Sequence, residues 1–383
     1  MKNIFAICCC LFLATAAFSQ KTIIDTISSK RLKEDRVISI SLPASYGKEK
    51  DKKYPLLLLL DGEFMVPAFN GALEYGTYWE DIPEMIVVGI NQNANNERET
   101  DTEFDKETGL PDGKGNDFFD FIGMELMPSI QKSYRIAPLK IIAGLDVTAA
   151  YANYFLYKDQ PLFDAYIIIS PEYPKGMEEQ VPDRLSKIEK PIWYYHCVAD
   201  GDLKKMTARI KKLDEDAKKV SKPTLNYRFD EFKGASHYSQ VLFAIPNALY
   251  YFFSVYQPIS MLEYNEKIAP LPEGYVKYLI DKYNKIEQAM GMKMKIRISD
   301  FKAIEAAIIK NKAYNEFDEL AQLADKYYPK TMLADYEMAQ MYEKKEMIDK
   351  AIKTYMHAYQ MEPIGDLTKD MMIDKADELK ASK

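Results

Sequence analysis

Apolar and polar residues alternate in two stretches near the start of the chain, 21–28 and 36–42 ("RVISISL"). That is the pattern of strands with one covered face. It gives way to short runs that are apolar almost throughout: "YPLLLLL" (54–60), "MIVVGI" (85–90), "LKIIAGL" (139–145), "AYIIIS" (165–170) and "PIWYYHCV" (191–198), with "LNYRFDEF" (225–232) after them. Such runs predict strands buried on both faces, as in a parallel sheet covered by helices. Helical stretches separate them at 117–134, 147–157, 203–220 and 239–256. Strand and helix in alternation predict an α/β fold, a mostly parallel central sheet with helices on both faces. The polar segment 92–116, "QNANNERETDTEFDKETGLPDGKGN", predicts a long surface loop of the kind that forms a lid or a site wall.

After Pro258 no strand-like run returns and the pattern is helical to the end. Pro329 and Pro363 lie 34 residues apart, each closing a helix. Ala339, Tyr342, Ala351, Tyr355, Ala358 and Pro363 fall on the small, aromatic and proline positions of a tetratricopeptide repeat, which has that period. Phe301, Ile304, Phe317, Ala324 and Pro329 repeat the pattern more loosely. The region resembles tetratricopeptide repeats. Two repeats cannot bury a surface alone, so they are expected to dock on residues 259–297, with the α/β body as a further docking surface. The expected division is a signal at 1–20, an α/β body at 21–258, a helical connector at 259–297 and tetratricopeptide-like helices at 298–383.

The first twenty residues, "MKNIFAICCCLFLATAAFSQ", read as a secretory signal: one lysine, a short apolar run, then small residues. A soluble periplasmic or secreted protein is expected, without a transmembrane segment. Cys8, Cys9 and Cys10 leave with the signal, so Cys197 would remain alone and no intramolecular disulfide is expected. Loss of Lys2 takes the formal net charge from −7 to −8, which argues against nucleic acid as a partner.

The chemistry centres on "IIAGLDVTAAYANYF" (141–155), a strand, a sharp turn and a small-residue helix. From about 36 to 256 the chain resembles the Fes/esterase D group of α/β-hydrolases. The matching pieces come in order: "YPLLLLLDGEF"; "IVVGINQNANNERETD", with Arg98 and Asp101 in an Arg-x-x-Asp loop; "FIGMELMPSIQKSYRI"; "FDAYIIISPEY"; and "GASHYS". The resemblance implies an α/β-hydrolase fold. It places the nucleophile elbow at Gly144-Leu145-Asp146-Val147-Thr148, where the family has a serine and further glycines. It also puts the catalytic imidazole at His237, its acid at Asp202 or Asp200, and the oxyanion N–H groups at Glu63 and Val147. No cofactor or metal is expected. A serine hydroxyl is replaced by a carboxylate, and Asp, unlike most residues, tolerates positive φ, so the turn can persist. The expectation is therefore an esterase-like protein that has lost serine-esterase activity. It would bind a small molecule in the former ester site, or a protein through its helices. The alternative is an active hydrolase working through Asp146, His237 and Asp202. His196 and His357 read as packing residues.

Overall fold

The computed structural model describes residues 21–291 and 293–382. The signal-like segment lies outside them. Eight strands form one sheet in the order β1-β2-β4-β3-β5-β6-β7-β8. They are β1 (Lys21–Ser29), β2 (Glu34–Leu42), β3 (Tyr54–Leu59), β4 (Ile86–Ile90), β5 (Ile136–Leu145), β6 (Ala165–Ile169), β7 (Ile192–Ala199) and β8 (Leu225–Phe232). β1, β2 and β4 pair antiparallel, and every other neighbour is parallel. The strands fall where the apolar runs predict them.

The continuous apolar runs serve two cores at once. Leu57 and Leu59 of β3 enter one core, while Leu56, Leu58 and Leu60 enter the other. Successive strand side chains point to opposite faces, so a strand covered on both sides has no polar register. On the first face lie α1 (Gly62–Tyr78), through Met65, Val66 and Phe69, and α8 (Val241–Phe252), through Val241, Ala244 and Ile245. Past α2 (Glu97–Asp101), the second face is covered by α3 (Gly113–Asp120), a π-helical turn Phe121–Leu126 and α4 (Met127–Ser133). The same face carries α5 (Val147–Ala152), α6 (Met177–Lys187) and α7 (Lys204–Ala217). The sequence pattern gives no helix at α1 or α6. Pro67, Gly71 and Gly76 interrupt the first, and Pro182 the second.

The segment 92–116 departs from the expected surface loop. It contains α2 and the start of α3, and it buries Asp101 completely. Asp101 is held by Arg36 of β2, whose Nη2 donates at 2.9 Å, and by Gln92 Nε2, also at 2.9 Å. Arg36 is itself 2% exposed, so the ion pair is a core feature and fastens the segment to the sheet.

Beyond α8 the chain is helical: α9 (Met261–Glu263), a π turn Tyr264–Ile268, α10 (Tyr275–Met290), α11 (Ile298–Lys310), α12 (Glu316–Tyr327), α13 (Leu333–Lys344), α14 (Ile348–Ala358) and α15 (Lys369–Ala381). Their buried residues, among them Leu279, Ile286, Phe301, Leu320, Ala339 and Tyr355, belong to the same apolar cluster as the α1/α8 face of the sheet. No helix among the described residues is long and apolar enough to cross a membrane.

Arg36→Met would leave the Asp101 carboxylate buried without its counter-charge. A loss of about 3–5 kcal/mol is expected in urea unfolding. The paired replacement Arg36→Met with Asp101→Leu should recover most of that loss.

Candidate active site

β5 ends at Leu145, and α5 begins two residues later, so the chain reverses sharply at Asp146. The turn is tight enough that a Cβ on Gly144 would stand 2.7 Å from both Ala149 N and Thr148 C. That close approach accounts for the glycine. Asp146 adopts φ 60°, ψ −120°. Its φ is positive, but its ψ lies outside the left-handed helical well that Asp tolerates best. The elbow is thus more strained than the sequence implies, by an amount of order 1–3 kcal/mol. Two backbone hydrogen bonds pin it: Asp146 N–H to Ile169 O (3.0 Å) and Glu172 N–H to Asp146 O (3.2 Å).

Thr148, where the resemblance expects a glycine, is fully buried. Its hydroxyl accepts the Leu145 N–H at 3.0 Å and donates to Asp61 Oδ2 at 2.6 Å. Asp61 follows β3 with a left-handed backbone and is 0% exposed. Its N–H donates to Gln92 Oε1 at 3.1 Å, which joins it to the Asp101 pair. Burial pushes the Asp61 carboxyl upward in pKa, and Arg98 and Thr148 pull against that shift. Arg98, on α2, donates Nε to Asp61 Oδ1 (2.8 Å) and Nη2 to Leu145 O (2.9 Å). Its Nη1 then lies 3.5 Å from Asp146 Oδ2. Arg98 is thereby aimed at the elbow side chain. The sequence marks Arg98 only through the Arg-x-x-Asp loop, and it gives no signal that Asp61 pairs with it or that Thr148 bonds to Asp61.

His237, in the turn before α8, places Nδ1 2.6 Å from Asp202 Oδ1. Of the two candidate acids, Asp202 meets the imidazole, whereas Asp200 accepts the Gly234 N–H at 2.7 Å. Asp202 Oδ2 accepts the Ala199 N–H at 2.8 Å and the Ser170 hydroxyl. Gln240 Nε2 donates to Ser170 Oγ (2.8 Å) and to His237 O (3.0 Å), which fixes the loop. The Asp202 hydrogen bond raises the His237 pKa, burial opposes the rise, and the negative charges of Asp202 and Asp146 add to it. Burial pushes the Asp202 carboxyl up, but hydrogen bonds from His237, Ala199 and Ser170 outweigh it and leave the pKa below the usual carboxylate range.

Glu63 is the second residue of α1, and Val147 is the first of α5. N–H groups in a helix's first turn have no acceptor within the helix, so both positions can offer donors to an anion. The Glu63 carboxylate turns away to the neighbouring loop, accepting N–H bonds from Gln92 (3.1 Å) and Asn93 (2.8 Å). His196 is a core residue with Nε2 2.6 Å from Tyr227 Oη, and burial pushes its pKa down to about 3. His357 pairs with Asp335 at 2.7 Å on the helical region. Among the described residues, no group of three or more His, Cys, Asp or Glu side chains is placed to hold a metal ion.

A cavity of about 690 Å³, bounded by Lys52, Pro138, Tyr256 and Lys293, lies at the opposite end of the sheet. Lys52 precedes β3, while Asp61 follows it. That cavity has no part in the elbow.

Sheet order and flanking helices define an α/β-hydrolase fold, with the Asp146 carboxylate at the sharp turn between β5 and α5. The chain belongs to the family described as "Putative esterase", which matches residues 29–239. It is similar to an uncharacterised protein from Capnocytophaga ochracea, with 28% identity over 94% of this chain and 100% of that one, at a TM-score of 0.82. That likeness reaches into the C-terminal helices. An IroE-like serine hydrolase from Shewanella oneidensis (19% identity, 80% of this chain, 100% of that one, TM-score 0.61) shares the fold. So does the BES protein from Bacillus cereus (23% identity, 60% of this chain, 94% of that one, TM-score 0.53). No curated protein matches the chain.

The His237 environment predicts an NMR titration midpoint above the ordinary 6.5. Asp202→Asn should bring the midpoint down, and Asp146→Asn should do so by less. An unchanged midpoint in Asp202→Asn would show that the pair does not exist in solution.

Proposed function

We propose that this chain is an exported esterase-family protein that has given up serine-ester hydrolysis and binds a small ligand in the former acyl site. The C-terminal tetratricopeptide-like helices would offer a surface to a protein partner. The observation that carries this reading is the Asp146 carboxylate, 3.5 Å from Arg98 where the family has a hydroxyl. An imidazole prepares a serine by taking its proton. A carboxylate has no proton to give, and its attack on an ordinary ester would form an anhydride. The adjacent guanidinium further reduces its nucleophilicity.

Other hydroxyls are poor substitutes. Ser170 is fully buried and donates to Asp202. Ser236 lies on the histidine loop and hydrogen-bonds to Ser239 at 3.0 Å. Export rests on the pattern of residues 1–20, and a helical partner surface rests on the 34-residue spacing of Pro329 and Pro363.

A second reading is supported by the intact His237–Asp202 pair. In it, Asp146 attacks an alkyl electrophile and His237 activates water to cleave the resulting ester. Hydrolases of that kind use tryptophan or tyrosine donors to hold the leaving group. Trp193 belongs to β7, and Trp79 ends α1, 17 residues from the elbow end of that helix. Neither tryptophan supports the alkyl-transfer reading.

Fluorophosphonate probes are expected not to label the protein, and short-chain aryl esters should not be turned over above background. Aryl-ester turnover that disappears in His237→Ala would sink the proposal. The double replacement Asp146→Ser with Thr148→Gly should gain probe labelling, because the imidazole–carboxylate pair is already in place.

A further inference from the structure

Helix α1 is apolar on two sides. Met65, Val66, Phe69 and Leu73 are buried in the core beneath it. Phe64, Pro67, Gly71, Tyr75 and Tyr78 follow one another at steps of three, four, four and three residues, which keeps them on one face of the helix. That face is open to solvent: Phe64 is 43% exposed, Tyr75 64% and Tyr78 78%, and Pro67 and Gly71 are exposed too. Trp79, just past the last turn, is 56% exposed and extends the face, meeting Tyr78 edge-on at 5.0 Å between ring centroids. The stripe carries no charged residue. A surface helix ordinarily turns a polar side outward, and a helix apolar all round is covered all round.

Gly71 supplies an independent sign of what covers the stripe. It stands in the middle of α1, where a glycine weakens a helix. A close neighbour accounts for such a residue at Gly76, where a Cβ would stand 2.4 Å from Ile82 Cδ1. A Cβ on Gly71 would meet nothing within 4 Å. No contact inside the molecule calls for a glycine there, whereas a second backbone approaching from outside does.

We propose that the exposed face of α1 is a homodimer interface, in which α1 pairs antiparallel with the same helix of a second copy across a two-fold axis at Gly71. Such a pairing sets Phe64 against the partner's Tyr78 and Pro67 against the partner's Tyr75, each contact made twice. Bulk lies at both ends of the stripe and a gap at its centre, so the face is complementary to itself. Its size also suits a second copy. At roughly 250 Å² for a whole aromatic side chain, the exposed fractions of Phe64, Tyr75, Tyr78 and Trp79 amount to about 600 Å². Two copies would cover about 1,200 Å² between them, the size at which specific association begins. An anionic lipid surface suits the face less well. Helix α1 has no Lys, Arg or His, while Glu63 and Glu74 lie on it and Glu80 and Asp81 follow it. The proposal does not depend on what the elbow binds.

Sedimentation velocity of the full chain over a range of micromolar concentrations tests this, and a reversible dimer is expected. Gly71→Gln places a good helix former at an open position. At high dilution its melting temperature should therefore hold or rise. The dimer's dissociation constant should rise about tenfold or more, because bulk enters at the closest point of the interface. Tyr75→Asp, at an exposed position, should weaken the dimer as strongly. A chain monomeric throughout, or a dimer indifferent to Gly71→Gln or to Tyr75→Asp, would overturn the proposal. A lower melting temperature of Gly71→Gln at high dilution would overturn it too, since the fold itself would then need the glycine. So would a monomeric chain that floats with phosphatidylcholine vesicles, which would assign the face to lipid.

Discussion

The site depends on keeping a charge at Asp61, a residue with no solvent exposure. A carboxylate taken out of water survives only if it is paired and its lone pairs are used. Arg98 supplies the counter-charge and Thr148 the second hydrogen bond. Each of these partners then does something else. Arg98, held at one end by Asp61, reaches Leu145 O and Asp146 with the other. Thr148, held by the same carboxylate, caps the last N–H of β5. The chain of contacts runs on through Gln92 to Asp101 and Arg36, so the elbow is tied to β2 across the sheet.

This arrangement changes what the missing glycine means. The resemblance expects a glycine at position 148. Thr148 fills that space and contributes a hydroxyl, while Gly144 keeps the approach of α5 to β5 close. The strained turn at Asp146 carries a carboxylate. Backbone strain survives where the surroundings over-determine it. The surroundings here are the Ile169 and Glu172 backbone bonds and the Arg98 guanidinium.

Much of the fold is legible along the chain because burial on both faces leaves uninterrupted apolar runs. Leu56 to Leu60 feed two cores in turn, and that signature survives without any knowledge of neighbours. Helix α1 is not legible, since Pro67 and two glycines mask a helix whose apolar stripe is clear only once Met65, Phe69 and Leu73 are seen to be buried. The order of motifs singles out His237 and the elbow, and geometry joins His237 to Asp202 rather than to Asp200. The Asp61–Arg98 pair could not be read, because it joins positions 37 residues apart and leaves no periodic trace. Asp101 was equally hidden: an acid inside an acid-rich stretch looks solvated until Arg36 is found beneath it.

The apolar cluster that begins under α1 and α8 runs without a break into α10 to α15. A unit with one core tends to melt as one unit, and whatever binds its native form raises the melting of all of it. Any ligand held at Asp146 would therefore be felt thermodynamically by helices that never touch it. Helices α10 to α15 would then report on the elbow through their resistance to proteolysis, with no moving part between them.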